Sequence, residues 1–304
     1  MKIAVCFAGM PRYYDKCCDS LLSYFNLDGI EVDFFIHSWT NIWYHPKVGN
    51  NTVTNQDQQF LETELHRIYT PKKMIIEDQL SNMDIKCAID LISQIYYHTR
   101  CFTEIPPPII SDIDNKHNEE FLTNKFHFGQ LYSVSRAIEL KSQYEHDENI
   151  KYDLVLRARL DNYMEPVNPS QSIHKICKQA AEQTYIHFIG GGSANSETIY
   201  CQWISTHGQM PHIGDKFFGG SSTSMDIFRD IFKFQIVRII QHLTGNKHDF
   251  QFTPEAVIGD LLKHKNYIAH HHLWPGNVVS YRDYHVDIDQ EFNNMQLVSW
   301  ENER

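Results

Sequence analysis

The sequence predicts an α/β fold: a mostly parallel central sheet flanked by helices, in a single domain spanning 1–304. Three observations predict it. Short, β-branched apolar runs alternate with amphipathic helical stretches from the first residues onward. Those runs are continuously apolar, as in strands covered on both faces. No internal repeat or low-complexity linker divides the chain. With 304 residues, 42% of them hydrophobic and 21% charged, the chain has the length and balance of a globular protein with a sizeable core.

Taken in order, Lys2 to Phe7 is an apolar run bounded by Gly9 and Pro11, hence a buried strand. Tyr14 to Phe25 carries Leu21, Leu22 and Phe25 at helical spacing. Val32 to His37 is the second strand, running into Ser38-Trp39-Thr40, and a helix over Gln56 to Ile68 leads to a third strand, Lys73 to Glu77. This βαβαβ opening implies right-handed crossovers and a largely parallel sheet. Asn82 to Thr99 reads as helical, and a loop with Pro106-Pro107-Pro108 follows. Gln130 to Tyr144 is a clear helix, with Leu131, Val134, Ile138 and Leu140 on one side; it feeds the strand Tyr152 to Leu156. Beyond it, Thr184 to Ile189 reads as a strand ending in Gly190-Gly191-Gly192, and Met225 to Leu243 as a helix. Thr253-Pro254 supplies an N-cap and a first helical residue for a shorter helix.

Composition narrows the function classes. A formal net charge of −11 disfavours a partner such as duplex nucleic acid, although one basic pocket is compatible with it. The apolar run at the N-terminus is too short for a signal-peptide core, and nothing approaches the ~20 apolar residues of a transmembrane segment. Seven cysteines without metal-type spacing read as a reduced, cytoplasmic protein. Oligomeric state leaves no mark.

The strongest chemical signal is Arg157-Ala158-Arg159-Leu160-Asp161 at the end of a central strand. Ligands of open α/β sheets bind beyond the carboxyl ends of strands. Two guanidiniums suit a diphosphate, and a carboxylate suits a Mg2+ or Mn2+ that already carries phosphate oxygens. An Arg–Asp salt bridge closing the strand end is the other reading, and both stay open. Gly190-Gly191-Gly192 lacks the lysine and spacing of a P-loop.

Four stretches in order carry a resemblance: KIAVCFAGMPR (Lys2 to Arg12), DFFIHSW (Asp33 to Trp39), FGQLYSVSRAIELKSQYE (Phe128 to Glu145) and YDLVLRARLD (Tyr152 to Asp161). Together they resemble the GT-A (Rossmann-like) glycosyltransferases, closely over about 1–165 and loosely over 166–304. The resemblance implies an enzyme that moves a sugar from a nucleoside-diphosphate-sugar to a hydroxyl of a glycan or other acceptor. The first half would bind the nucleotide sugar and the second the acceptor. By position it implicates Ala8, Gly9, Met10, Pro11 and Arg12 in holding base, ribose and phosphate; a plain turn is the alternative. His37 and Trp39 would line the base pocket, or belong to the core. Gln130 and Arg136 sit on the helix before the aspartate strand, as nucleotide-site or structural residues.

The metal motif of that family is Asp-X-Asp. Here Arg159-Leu160-Asp161 keeps the last acidic position. Either Asp161 holds a divalent Mn2+ or Mg2+, helped by a distant residue, or Arg159 replaces part of the cation's charge. His270 and His272, which share one face of an extended segment, are the candidate helpers. For acceptor activation, Glu255, followed four positions later by Gly259, resembles the acidic helix start of inverting members and would act as general base. Helix capping is its plain reading. Asp215 is the second candidate base. Two other function classes stay open, a sugar-nucleotide nucleotidyltransferase and a non-catalytic carbohydrate-binding protein.

Overall fold

The computed structural model describes residues 1–26, 28–43, 53–102, 125–164, 198–201, 204–207, 210–213, 217–244, 253–265, 268–271 and 278–280. In chain order the first elements are β1 (Lys2–Gly9), α1 (Tyr14–Phe25), β2 (Glu31–Trp39), β3 (Asn41–Trp43), β4 (Val53–Asn55), α2 (Gln58–Tyr69) and β5 (Lys73–Glu77). Next come α3 (Met83–Phe102), α4 (Lys125–Asp147), β6 (Leu154–Ala158), β7 (Asn162–Met164), β8 (Thr198–Cys201), β9 (Ile204–His207) and β10 (Met210–Ile213). The last are β11 (Phe218–Gly220), α5 (Ser222–Met225), a 3-10 turn at Asp226–Asp230, α6 (Ile231–Leu243), α7 (Pro254–His264), β12 (Ile268–His271) and β13 (Val278–Ser280).

The apolar run that predicts β1 also makes it central. Ile3 to Ala8 are fully buried, as a strand covered on both faces requires. Ala4, Cys6 and Ala8 face one core, and Ile3, Val5 and Phe7 face the other. β1 pairs in parallel with β2 on one side and β6 on the other, giving a seven-stranded order of β12-β8-β11-β6-β1-β2-β5. β11 departs from the parallel rule: it runs antiparallel to both β6 and β8. Its middle residue is glycine because a β-carbon at Gly219 would lie 2.5 Å from both the Val155 carbonyl and the Leu156 side chain.

Helices cover both faces. α1 buries Cys17, Leu21 and Phe25 against the Phe7 face, and α2 buries Leu61, Leu65 and Tyr69 there, its first turn capped by Asp57. α4 lies on the opposite face with Leu131, Val134 and Ile138 inward. Ser133 near its start meets the end of β1, whereas Asp147 at its end pairs with Lys73 at the start of β5. α4 therefore runs antiparallel to the strands, its first half over their carboxyl edge.

One buried charge locks α4 in place. Lys141 donates to Glu145 Oε2 (3.0 Å), Ser222 Oγ (2.8 Å) and Asp226 Oδ1 (2.8 Å), using all three ammonium protons. Ser222 in turn donates to Glu145 Oε1 at 2.6 Å. This network pins α5 and the 3-10 turn to α4. It also accounts for a departure from the continuous helix expected over Met225 to Leu243, where a 3-10 turn separates α5 from α6. The strand expected at Thr184 to Ile189 lies outside the described residues.

Candidate functional site

The chain leaves β1 for β2 and β5 on one side, then returns to β6 on the other. The strand order thus reverses between β1 and β6, the place where open α/β sheets bind ligands. Two segments meet there, Gly9-Met10-Pro11-Arg12 after β1 and Arg159-Leu160-Asp161 after β6.

Gly9 closes β1 at φ 121°, a conformation open to glycine, and its missing β-carbon faces open space. Its backbone is held from two sides: its N–H donates to Ser133 Oγ (2.7 Å), and its carbonyl accepts from Ser38 Oγ (3.0 Å). Ala8 and Pro11 are buried, and Met10 is half-buried against the α4-side core.

Arg159 donates twice to Asp161, Nε to Oδ1 at 2.7 Å and Nη2 to Oδ2 at 2.6 Å. Arg12 reaches the same Oδ2 at 3.3 Å from the other loop. Arg157 lies beneath, its guanidinium 5.7 Å from the Phe218 ring centroid and its Nη2 3.5 Å from the Ala8 carbonyl. Burial works to raise the Asp161 carboxyl, but the charges of Arg159, Arg12 and Arg157 outweigh it and hold the group below its ordinary value. Asp161 is therefore ionised, with three guanidiniums near it.

One expectation needs correction here. Arg157 and Asp161 do not emerge into a crevice, since each is 1% exposed. The β6 pleat turns Arg157 into the core beside Phe218. The side chains that reach the surface are Arg12 at 21% and Arg159 at 13%. A divalent cation needs several converging oxygen or imidazole donors; among the described residues, both Asp161 oxygens accept from guanidiniums. The neighbouring Cys17 thiol is pushed up to about 12, first by burial and then by the Asp161 charge, so it offers no thiolate. Among the described residues no group of three His, Cys, Asp or Glu could hold a metal ion. His270 sits on β12, three strands from β6, which is roughly 14 Å across the sheet at ~4.8 Å per strand. It is not brought to Asp161. His272 lies outside the described residues.

His37 and Trp39 do not line an open pocket; they are 0% and 1% exposed. Their rings meet edge-on at 4.8 Å, and Trp39 packs on Tyr132 at 5.5 Å. His37 belongs to a buried relay that the sequence did not reveal. Its Nδ1 lies 2.8 Å from Ser133 Oγ and its Nε2 3.3 Å from Glu77 Oε1, while Asn82 donates to Glu77 Oε2 at 2.6 Å. Ser133 Oγ also donates to the His37 carbonyl at 3.1 Å. Burial lowers the His37 pKa despite Glu77, so the ring is neutral and one of its two nitrogens carries the proton. The relay fastens the ends of β1, β2 and β5 to α4 and so fixes Gly9. A polar Ser133 on a helix that is apolar around it is the signal that would have found it.

Gln130 is half-buried in the first half of α4, at the carboxyl edge. Arg136 pairs with Glu139 and lines a groove of about 920 Å3 between α3, α4 and α6, not the junction of β1 and β6. That groove is a weaker candidate site despite its volume. Four of its charged groups pair locally, Arg136 with Glu139 and Lys233 with Asp230, and none of the described residues lining it belongs to a strand. Glu255 is half-buried in the first turn of α7, behind the Thr253 cap. Asp215 lies outside the described residues.

No protein-family model matches the chain, and no curated protein matches it. Among solved structures, one described as a mutant transferase aligns with 89% of this chain and 87% of its own, at 10% sequence identity and a TM-score of 0.30. A likeness that loose carries no argument about fold or activity.

Proposed function

We propose that the chain is a glycosyltransferase that takes its sugar from a nucleoside-diphosphate-sugar and passes it to a hydroxyl of a glycan or other acceptor. The observation that carries the reading is the meeting of Arg12, Arg159 and Asp161 where the strand order reverses, beside the open space at Gly9. The order of the four sequence stretches supports it too. In this reaction the acceptor oxygen bonds to the anomeric carbon as the bond from that carbon to the phosphate oxygen breaks. The diphosphate leaves with the electron pair, and Arg12 and Arg159, backed by Arg157, stabilise the charge it gains. A carboxylate takes the hydroxyl proton: Glu255 in this reading, with Asp215 as the alternative.

The test is a panel of UDP-, GDP- and dTDP-sugars, read by release of nucleoside diphosphate and by mass spectrometry of any glycoside formed. One donor is expected to turn over. Arg159→Ala should slow it by roughly 100-fold or more, as loss of an electrostatic stabiliser does, while the variant still unfolds cooperatively. Turnover of no donor, or an Arg159→Ala variant as fast as the parent, contradicts the proposal. Consumption of a nucleoside triphosphate with a sugar phosphate would move the assignment to a nucleotidyltransferase.

A further inference from the structure

We infer that Ser133 of α4 is a positioning residue for the sugar donor: its hydroxyl takes the Gly9 N–H, so the loop after β1 presents its ligand with the open face of Gly9 and not with that N–H. The inference rests on the glycosyltransferase reading and deepens it. Gly9 is the last residue of β1, and both of its backbone groups are engaged from inside the protein. Its N–H donates to Ser133 Oγ at 2.7 Å, its carbonyl accepts from Ser38 Oγ at 3.0 Å, and both serines are fully buried. Among the described residues, a β-carbon at Gly9 would meet nothing within 4 Å. One side of the residue is thus bonded to the protein and the other is open, at a φ of 121° that glycine adopts without strain.

Ser133 can hold that amide because its own oxygen is held. His37 Nδ1 lies 2.8 Å from Oγ, and the His37 carbonyl lies 3.1 Å from it. The hydroxyl has one proton and two lone pairs. Whether that proton goes to the carbonyl or to Nδ1, a lone pair remains for the Gly9 N–H, which can only donate. The contact is therefore the same for either His37 tautomer. Behind His37 stands Glu77, 3.3 Å from Nε2, and behind Glu77 stands Asn82, which donates to it at 2.6 Å. Asn82 also accepts from the Ile85 N–H, in the first turn of α3, at 3.1 Å. The contacts thus run from α3 through β5, β2 and α4 to the end of β1. Each link fixes the next side chain, so the loop has its shape before a ligand arrives.

Ala8-Gly9 is the single Ala-Gly pair in the sequence, so carbon-13 carbonyl alanine with nitrogen-15 glycine picks out the Gly9 amide of the full chain by NMR. In the parent that amide is expected to exchange slowly with solvent deuterium before any ligand is added; fast exchange would overturn the inference. Ser133→Ala should speed the exchange about tenfold, as loss of one buried hydrogen bond does. With the sugar donor that the parent turns over, Ser133→Ala should raise KM about tenfold and leave kcat within about threefold. Ser133→Thr, which restores the oxygen, should recover most of that loss, whereas a purely structural serine would change stability and leave KM alone. A parental KM in Ser133→Ala, or a lower one because the freed amide turns to the ligand, overturns the inference and leaves the sugar-transfer reading standing. A parent chain that turns over no donor removes both. The exchange measurement on the parent needs no variant, so it decides even where a substitution prevents folding.

Discussion

Lys141 and Asp161 are both interior charges, 0% and 1% exposed, yet their surroundings differ in two ways. Lys141 lies in the body of α4, and its three protons all go to named acceptors in a network closed by Ser222 and Glu145. Asp161 lies at the carboxyl edge of the sheet, where three arginines gather on one carboxylate and two of them reach the surface. The first arrangement is complete within the protein and positions a helix. The second joins two loops at the strand ends, where open α/β sheets bind ligands. Burial of a charge is thus no mark of a site; its place relative to the strand ends is.

The largest effect that sharpens this contrast is expected from Lys141→Met. It strands Glu145 and Asp226 without their cation and should cost about 3–5 kcal/mol in equilibrium urea unfolding, while nucleotide binding by the folded fraction is unchanged. A loss of nucleotide binding at full stability would reverse the roles of the two regions. Gly9→Ala comes next. The position tolerates the volume but not the φ of 121°, so about 1–3 kcal/mol of strain is expected. Because Gly9 adjoins the site, nucleotide affinity should fall with it; a variant of parental stability and affinity would contradict this.

The smallest effect is on acid stability, where the two regions should behave alike. Asp161 and Asp226 are buried, which works to raise both carboxyls, yet nearby cations hold them below the ordinary 3.8. A carboxyl depressed in the folded state contributes stability that is fully present above its unfolded value and is lost as pH falls through the folded one. The loss therefore falls below about pH 3.8. Asp161→Asn and Asp226→Asn should each flatten that acid limb in thermal unfolding measured across pH. An unchanged limb in either variant would show that its carboxylate is not held by its cations.

Much of the fold was legible because long apolar or amphipathic runs impose their own period. The run from Lys2 announces β1, and the bounds expected for α1 and β5 match those observed. The three-residue strands β3, β4, β7, β11 and β13 were not legible, since so short a segment has no period and forms only because a partner is already in place. β11 is the instructive case: Phe218-Gly219-Gly220 has no period of its own, yet it fills a narrow slot between β6 and β8 that a side chain at Gly219 would block. At the site, the nearness of Arg157, Arg159 and Asp161 was legible from one strand end. The pairing of Arg12 with Asp161 was not, because it depends on two distant loops meeting at the reversal of strand order. For His37 and Trp39, at a strand end, the sequence left pocket and core both open; Tyr132 of α4 packs on them and makes them core.

The most direct test of the central claim is hydrogen–deuterium exchange of the full chain with and without the nucleoside diphosphate that binds it. Protection is expected in 9–13 and 158–162, the two loops that Asp161 ties together. Protection confined to α3 and α6, around the groove, with no change in those loops, would contradict the account.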